Sequence, residues 1–176
     1  MKNILLTVVF LSLVAAATCI FFVNIHNTMS YLSHFRSNPH YSSVWSPEIY
    51  SLSRYVNEHG FQAKSIICVD WGLRLQLHAL APKKLRGQMR DYWPTFLALS
   101  HKDKEEQTAA LNRIFPEGKS LAVTFAASKE TFPETRRNFL TSVTARPELK
   151  SQLVKEFWFG GEKIYELYEV VRLPTQ

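Results

Sequence analysis

Residues 65–72 read S-I-I-C-V-D-W-G, and this stretch decides the fold. Ile66, Ile67, Cys68 and Val69 form an apolar run between polar or turn-forming neighbours, and three of these residues are β-branched. Such a run is typical of a strand that is buried on both faces in the middle of a parallel sheet. It stops at Asp70, and the carboxyl ends of central strands are where ligands and catalytic groups gather in α/β sheets.

Helical periodicity and end signals place further elements around this strand. We predict helices over residues 47–60, 73–80, 103–115 and 131–145, the last two opening with capping boxes at Asp103 and Thr131. For residues 73–80 an alternating strand is the alternative to the helix. Residues 82–92 are predicted to form a basic loop, residues 92–99 a short edge strand, and residues 147–153 an extension or restart of helix.

Three more strands complete the predicted sheet. They lie at residues 120–126, 153–159 and 163–171, and the turn Gly160-Gly161 joins the last two into a hairpin. The order of helices and strands predicts an α/β domain with a mixed sheet, flanking helices and a carboxy-terminal β-hairpin.

The amino-terminal segment predicts a transmembrane helix, because residues 4–25 carry no charge and would span a hydrocarbon core of about 30 Å as a helix. A cleaved signal peptide, with Ala15-x-Ala17 as the cleavage site, and a soluble buried helix are the alternatives. The positions of Lys2 and Arg36 favour an amino terminus in the cytoplasm. The expected organisation is therefore a transmembrane anchor at 1–26, a connector at 27–46 and an extracytoplasmic α/β domain at 47–176, in a single-pass membrane protein.

Composition limits the class of partner. The chain has 176 residues, a formal net charge of +6 and 46% hydrophobic residues, which fits one folded domain with an appendage. The basic residues form no run of four or more, and the faint cluster between Lys83 and Trp93 is not the basic stripe that nucleic-acid binding requires. We therefore expect a membrane partner and no nucleic acid.

Known catalytic and cofactor motifs do not occur. The sequence has no Gly-x-Ser-x-Gly elbow, no phosphate-binding glycine motif and no Cys or His pair at zinc spacing. Its two cysteines, Cys19 and Cys68, do not indicate a disulfide. No cofactor and no metal are predicted.

The candidate site residues follow the central strand. Asp70 and His78 are candidate catalytic groups, and Trp71 and Arg74 are candidate binding residues. Asp70 is equally suited to a structural role as the cap of the following helix, and Gly72 suits the turn between them. Trp71 could stack on a sugar or lie at the domain edge.

Three segments together resemble a known family. They are the Pro47–Gly60 helix, the Asp70-Trp71-Gly72 turn after its strand, and the hairpin that ends in I-Y-E-L-Y-E-V. With the preceding apolar segment they resemble the last membrane helix and soluble domain of polytopic polyprenyl-phosphate-sugar-dependent glycosyltransferases, the group that includes the protein O-mannosyltransferases.

The resemblance implies a domain that lacks the catalytic half of those enzymes, whose catalytic acid lies in an extracytoplasmic loop between membrane helices. Asp70 therefore does not correspond to that acid. The chain is expected to have no independent sugar-transfer activity. Two alternatives remain open: a binding or scaffolding module that docks on a polytopic membrane protein, and an autonomous enzyme that uses Asp70.

Overall fold

The computed structural model of the chain describes residues 14, 18–30 and 46–174. The chain divides into two compact units, Met1–Tyr41 and Ser42–Gln176. In the first unit, residues 18–30 are helical and their side chains are exposed. Most of the predicted connector, residues 31–45, lies outside the described residues.

The prediction of a transmembrane helix is wrong for the part of the chain that the structure describes, where no helix is long and apolar enough to cross a membrane. Residues 18–30 extend about 20 Å as a helix, and Asn24, His26 and Asn27 interrupt their apolar character. The membrane localisation and the extracytoplasmic position that depended on this anchor are corrected with it. Residues 1–13 and 15–17 of the predicted anchor lie outside the described residues.

The second unit alternates helices and strands. Its helices are α1 (Ile49–His59), α2 (Leu73–Leu80), α3 (Lys83–Arg86), α4 (Trp93–Ala98), α5 (Lys104–Ile114) and α6 (Pro133–Thr144). Its strands are β1 (Ser65–Cys68), β2 (Met89–Asp91), β3 (Gly118–Phe125), β4 (Leu149–Phe159) and β5 (Glu162–Arg172). Two short 3₁₀ turns, Gly60–Gln62 and Leu99–His101, follow α1 and α4.

The five strands form one sheet in the order β2-β1-β3-β5-β4. Strand β1 is parallel to both of its neighbours, whereas β5 is antiparallel to β3 and to β4. The sheet is therefore mixed, as predicted. The predicted hairpin joins β4 to β5 through Gly160 and Gly161, whose φ angles of 59° and 81° are the left-handed values that a tight hairpin turn requires.

Helices cover both faces of the sheet, and β1 contributes to both layers. Ile66 and Cys68 pack with α1 and α2, while Ile67 and Val69 pack with α4, α5 and α6. All four side chains are fully buried, as the apolar run predicts. Burial is the main cause that raises the pKa of the Cys68 thiol, which is free.

Four local predictions are wrong: the edge strand at 92–99, the helix at 147–153, the basic loop at 82–92 and the capping box at Thr131. Residues 92–99 form helix α4 rather than an edge strand, because Pro94 fits the first helical turn. Residues 149–153 begin β4 instead of extending a helix, and the predicted basic loop contains α3 and β2. Helix α6 begins at Pro133, and no side chain caps its amino terminus at Phe132. The cap predicted at Asp103 is confirmed, since its carboxylate accepts the Glu106 N–H at 2.8 Å.

Candidate functional site

The sheet has its topological switch point at β1. The chain leaves β1 for β2 on one side and later returns to β3 on the other. The carboxyl ends of these three parallel strands lie at one edge, and ligand sites of open α/β sheets form there. The segments that follow β1 and β3 flank this point, so the candidate site is built from their side chains.

Asp70 lies at this point with no exposed surface. One carboxylate oxygen, Oδ2, accepts hydrogen bonds from the Thr124 hydroxyl at 2.6 Å and from the Phe125 N–H at 3.0 Å. The other, Oδ1, accepts one from the Thr135 hydroxyl. Both oxygens are therefore engaged by β3 and α6, and Asp70 joins the end of β1 to these two elements.

Burial controls the protonation of Asp70. Removal from water raises its pKa above the ordinary 3.8, although the hydrogen bonds from Thr124, Thr135 and Phe125 and the charge of Arg136 act in the opposite direction. The carboxyl is consequently a weaker acid than an exposed aspartate. To act on a substrate, it would have to break the contacts that hold the sheet edge together.

A second buried acid, Glu166, lies on β5 opposite Thr124 of β3. Its Oε2 accepts hydrogen bonds from the guanidinium of Arg136, at 2.7 and 2.9 Å, and from the Tyr168 hydroxyl at 2.8 Å, while Oε1 pairs with Lys163 at 2.8 Å. Burial alone would raise the pKa of Glu166, but the bonds from Lys163, Arg136 and Tyr168 outweigh it and lower that pKa.

The two buried acids fasten the start of α6 to the sheet. Thr135 binds Asp70 and the next residue, Arg136, binds Glu166. An anion near the amino terminus of a helix is also favoured by the partial positive charge there. The cluster therefore fixes the position of α6 without a side-chain cap of the ordinary kind.

Glu130 completes this cluster, in the segment between β3 and α6. Its side chain is half-buried. Burial raises the pKa of Glu130 to about 7, with the charges of Asp70 and Glu166 adding to the effect and those of Arg136 and Arg137 opposing it. Glu130 is thus a carboxyl group that can take up or release a proton near neutral pH. We call Asp70, Glu130, Thr135, Arg136 and Glu166 the carboxyl-edge cluster.

The sequence-predicted site residues separate in the structure. Asp70 is buried, Trp71 is 45% exposed, and Arg74 is exposed near Asp91, whose pKa its charge lowers against the larger effect of burial. His78 is half-buried on α2 and is not among the hydrogen-bond partners of Asp70. No Asp70–His78 catalytic pair is therefore formed.

Aromatic rings also line this edge of the sheet. Trp93, which follows β2, stacks on Phe132, which precedes α6, with ring centroids 5.0 Å apart and planes at 9°. Both side chains are partly buried. This stacked pair connects α4 to the segment that carries Glu130.

A groove of about 310 Å³ lies elsewhere, between α1 and β4. Glu48, Arg54, Tyr55, Lys155 and Trp158 are among its lining residues. The Lys155 ammonium lies 5.5 Å from the centre of the Tyr55 ring, and His59 stacks on that ring at 4.0 Å, so two side chains occupy the aromatic surface. The groove shares no residue with the carboxyl-edge cluster.

The cluster offers proton chemistry. Within the described residues, no group of three or more His, Cys, Asp or Glu side chains is arranged to hold a metal ion. Arg136 and Lys163 neutralise Glu166. Glu130, with a pKa that burial raises to about 7, contributes a proton-exchanging carboxyl to the cluster.

Sequence reasoning missed Glu130, Arg136 and Glu166. Glu166 had a usable signal, because it stands between the inward-facing apolar residues of β5, where an acid needs a partner. Glu130 and Arg136 have no such signal, since their surroundings come from segments distant in sequence.

No protein-family model and no curated protein sequence matches this chain. The resemblance to polyprenyl-phosphate-sugar-dependent glycosyltransferases therefore stays a prediction.

Proposed function

We propose that this chain is a non-catalytic α/β domain that binds a partner protein. The proposal depends on one observation, that both carboxylate oxygens of Asp70 accept hydrogen bonds from the protein itself. Its carboxylate is buried and accepts three hydrogen bonds from β3 and α6, which makes it a structural group. A domain whose strand-end acid serves the fold fits recognition better than catalysis.

The partner class comes from the resemblance. The Asp70-Trp71-Gly72 turn is its most specific motif, and each residue of that turn has a separate role compatible with a scaffold. Asp70 joins three elements, Gly72 takes a φ of 85° at the entry to α2, and Trp71 meets solvent. The partner that the resemblance suggests is a polytopic glycosyltransferase that uses a polyprenyl-phosphate sugar.

A transfer assay tests the absence of catalysis. The purified chain, without a partner, is incubated with polyprenyl-phosphate-linked sugars and peptide or glycan acceptors. We expect no transferred sugar, because the strand-end acid Asp70 is buried and held by three hydrogen bonds. Transfer by the wild-type chain that is lost in Asp70→Asn, with the melting temperature unchanged, would overturn the proposal.

Crosslinking in native cells tests the partner. A short amine-reactive crosslinker is applied to cells that produce the tagged chain, and the products are identified by mass spectrometry. Recovery of a polytopic glycosyltransferase as the main product is the expected result. Recovery of none, under conditions that crosslink a known complex in the same cells, contradicts it.

A second candidate function is an autonomous enzyme that uses Glu130 as a general base. The observation that favours it is a pKa of about 7 in a carboxyl group beside the switch point, since a base is most effective when its pKa lies near the working pH. Glu130→Gln should then abolish an activity that Asp70→Asn leaves measurable. In the same transfer assay, inactive wild-type protein argues against this candidate for sugar transfer.

A further inference from the structure

The positive charge of the chain is concentrated in one connection. Residues 71–90, which run from the end of β1 into β2, contain five cationic residues and no Asp or Glu, and Asp91 follows them. The formal net charge of the whole chain is +6. We call the exposed side of this connection the basic surface; its cations are Arg74, Lys83, Lys84, Arg86 and Arg90.

These cations are exposed, and only Arg74 has an acid near it within the described residues, Asp91. None of the five takes part in an ion pair within residues 46–174. On other elements, lysines such as Lys119 and Lys129 pair with glutamates at 2.6 and 2.5 Å. The basic surface therefore presents a positive field to solvent that Asp91 balances only in part.

Apolar side chains lie among these charges. Helix α2 buries Leu73 and Leu77 against the sheet, yet Leu75 on its outer side is 67% exposed. Trp71, which precedes the amino terminus of α2, is 45% exposed. A helix that is apolar on its outer side as well as its inner side is typical of one that packs against something on both sides.

Two guanidinium groups of the surface are held in place. Arg86 donates from Nε to the Ala81 carbonyl at 2.9 Å, and Arg90 donates from Nη1 to the Met89 carbonyl at 3.2 Å. Their remaining N–H groups are thus directed rather than free to reorient. Directed guanidinium groups suit carboxylates, which they bind with two parallel hydrogen bonds.

We propose that the basic surface docks an acidic protein segment, with carboxylates against its cations and apolar side chains against Trp71 and Leu75. This inference rests on the proposed function and names where and how the partner protein binds. Charge complementarity carries it, and Trp and Arg are the residue types that dominate the energetics of protein interfaces.

Protein fits these observations better than the other polyanions. Leucine side chains such as Leu75 and Leu80 offer neither stacking nor hydrogen bonds to nucleic-acid bases. An anionic lipid surface attracts basic residues without requiring fixed guanidinium positions. An acidic segment with apolar residues uses both the apolar centre and the directed cations.

Site-specific photocrosslinking tests the surface. A benzophenone side chain is introduced at Leu75 in the full chain and activated in native cells, and the crosslinked peptide is sequenced. We expect one protein, crosslinked within a segment that contains Asp or Glu beside apolar residues. Lys83→Glu combined with Lys84→Glu should lower the yield by about fivefold or more.

A matched variant and a control position make the test decisive. Lys104→Glu with Arg113→Glu, on α5, changes the net charge equally and should leave the yield unchanged. In a lysate of the same cells, vesicles containing phosphatidylserine and a DNA duplex serve as competing probes, and loss of the crosslink to either one overturns the proposal. A non-acidic contact segment, or equal yields from both double variants, overturns it as well.

The two proposals can fail separately. If a benzophenone at Arg113 captures a polytopic glycosyltransferase while Leu75 captures nothing, the basic surface is wrong and the partner class stands. If Leu75 captures an acidic segment of another class of protein, the surface stands and the glycosyltransferase partner is wrong.

Discussion

Asp70 has both carboxylate oxygens engaged inside the protein, so its replacement tests whether shape or charge matters. In Asp70→Asn the amide oxygen can accept the hydrogen bonds from Thr124 and Phe125. The amide N–H can donate to the Thr135 hydroxyl, which in turn donates to the Phe132 carbonyl 2.8 Å away. We expect the free energy of unfolding at neutral pH to change by at most about 1 kcal/mol. Asp70→Ala, which leaves these groups unpaired, should lose about 3 kcal/mol in urea unfolding.

The same residue predicts a pH dependence. The pKa of Asp70 in the folded chain is raised above 3.8 because of burial, so the folded protein holds the proton more tightly than the unfolded one. The stability from this group is complete below pH 3.8 and is lost as pH rises through the raised pKa. Urea unfolding at a series of pH values should show that, as pH rises through this window, the free energy of unfolding of Asp70→Asn increases relative to that of wild type. A constant difference would contradict the raised pKa.

Glu166 should behave in the opposite way. Glu166→Gln leaves Arg136 without its buried counter-charge, whereas Lys163 keeps Glu156 at 2.8 Å, and we expect a loss of about 3 kcal/mol at neutral pH. Because the pKa of Glu166 is lowered below 4.5, its contribution is present above pH 4.5 and disappears as pH falls through the lowered pKa. The difference in unfolding free energy between wild type and Glu166→Gln should therefore become smaller as pH falls below 4.5 in the same urea measurement.

Glu169 on the same strand is the matched control for Glu166. It pairs with Lys119 at 2.6 Å, but both side chains are about one-third exposed. Glu169→Gln should cost less than about 1 kcal/mol by the same urea measurement. Equal losses of unfolding free energy in the two variants would show that burial does not strengthen the ion pairs of Glu166.

Glu130 is the residue that titrates near neutral pH. With a folded pKa of about 7 against an ordinary 4.5, its stability contribution is complete below pH 4.5 and is lost as pH rises through about 7. Glu130→Gln should therefore be more stable than wild type at pH 8 by about 1 kcal/mol, after allowance for solvent screening. Glu134→Gln, in an exposed pair with Arg137, should show no such gain. Thermal unfolding of both variants and wild type at pH 4.5 and at pH 8 measures the gain. A Glu130→Gln variant that is no more stable than wild type at pH 8 would contradict the raised pKa.

At the scale of elements, the hairpin between β4 and β5 depends on glycine. Gly161 has a φ of 81° and open space around the position of an added Cβ, so Gly161→Ala costs conformational strain without a clash. We expect a loss of about 1 kcal/mol. Gly87→Ala is the control, because Gly87 has a φ of −68° and equally open space. It should be neutral or slightly stabilising in the same chemical denaturation.

Elements with a local signal could be predicted, and those without one could not. The apolar run of β1, the capping box at Asp103 and the turn at Gly160 each contain their cause within a few residues. Strand β2 does not: its three residues include Arg90 and Asp91, and it is a strand because its main chain pairs with β1. The first half of β4 is exposed at the sheet edge and so lacks the apolar alternation of a covered strand.

At the scale of the whole molecule, the candidate site was predictable only in part. Asp70 and its position at a strand end followed from sequence, as did the outward neighbours Trp71 and Arg74. Glu130, Arg136 and Glu166 meet Asp70 because β3, α6 and β5 converge, and no local pattern encodes that convergence. The apolar amino-terminal sequence predicted a membrane span from its length and hydropathy, yet no described helix meets both conditions.

The uneven charge also belongs to this scale. Reversal of Lys83 and Lys84, or of Lys104 and Arg113, lowers the formal net charge from +6 to +2 in either case. We expect the first pair to reduce retention on a cation-exchange resin far more, because the basic surface dominates the field that the resin meets. The salt concentration at elution measures this. Equal shifts would mean that the charge is effectively uniform.

The reactivity of the Cys68 thiol reports how often the centre of the sheet opens. Its thiol is enclosed in the strand that serves both helical layers, with no exposed surface. A thiol reagent can reach it only when the sheet separates at its centre, so the rate of modification follows the free energy of that opening. Cys19, which is exposed, reports the reactivity of an accessible thiol in the same chain. The opening of the central strand can thus be measured from the rate of Cys68 modification, without an added label.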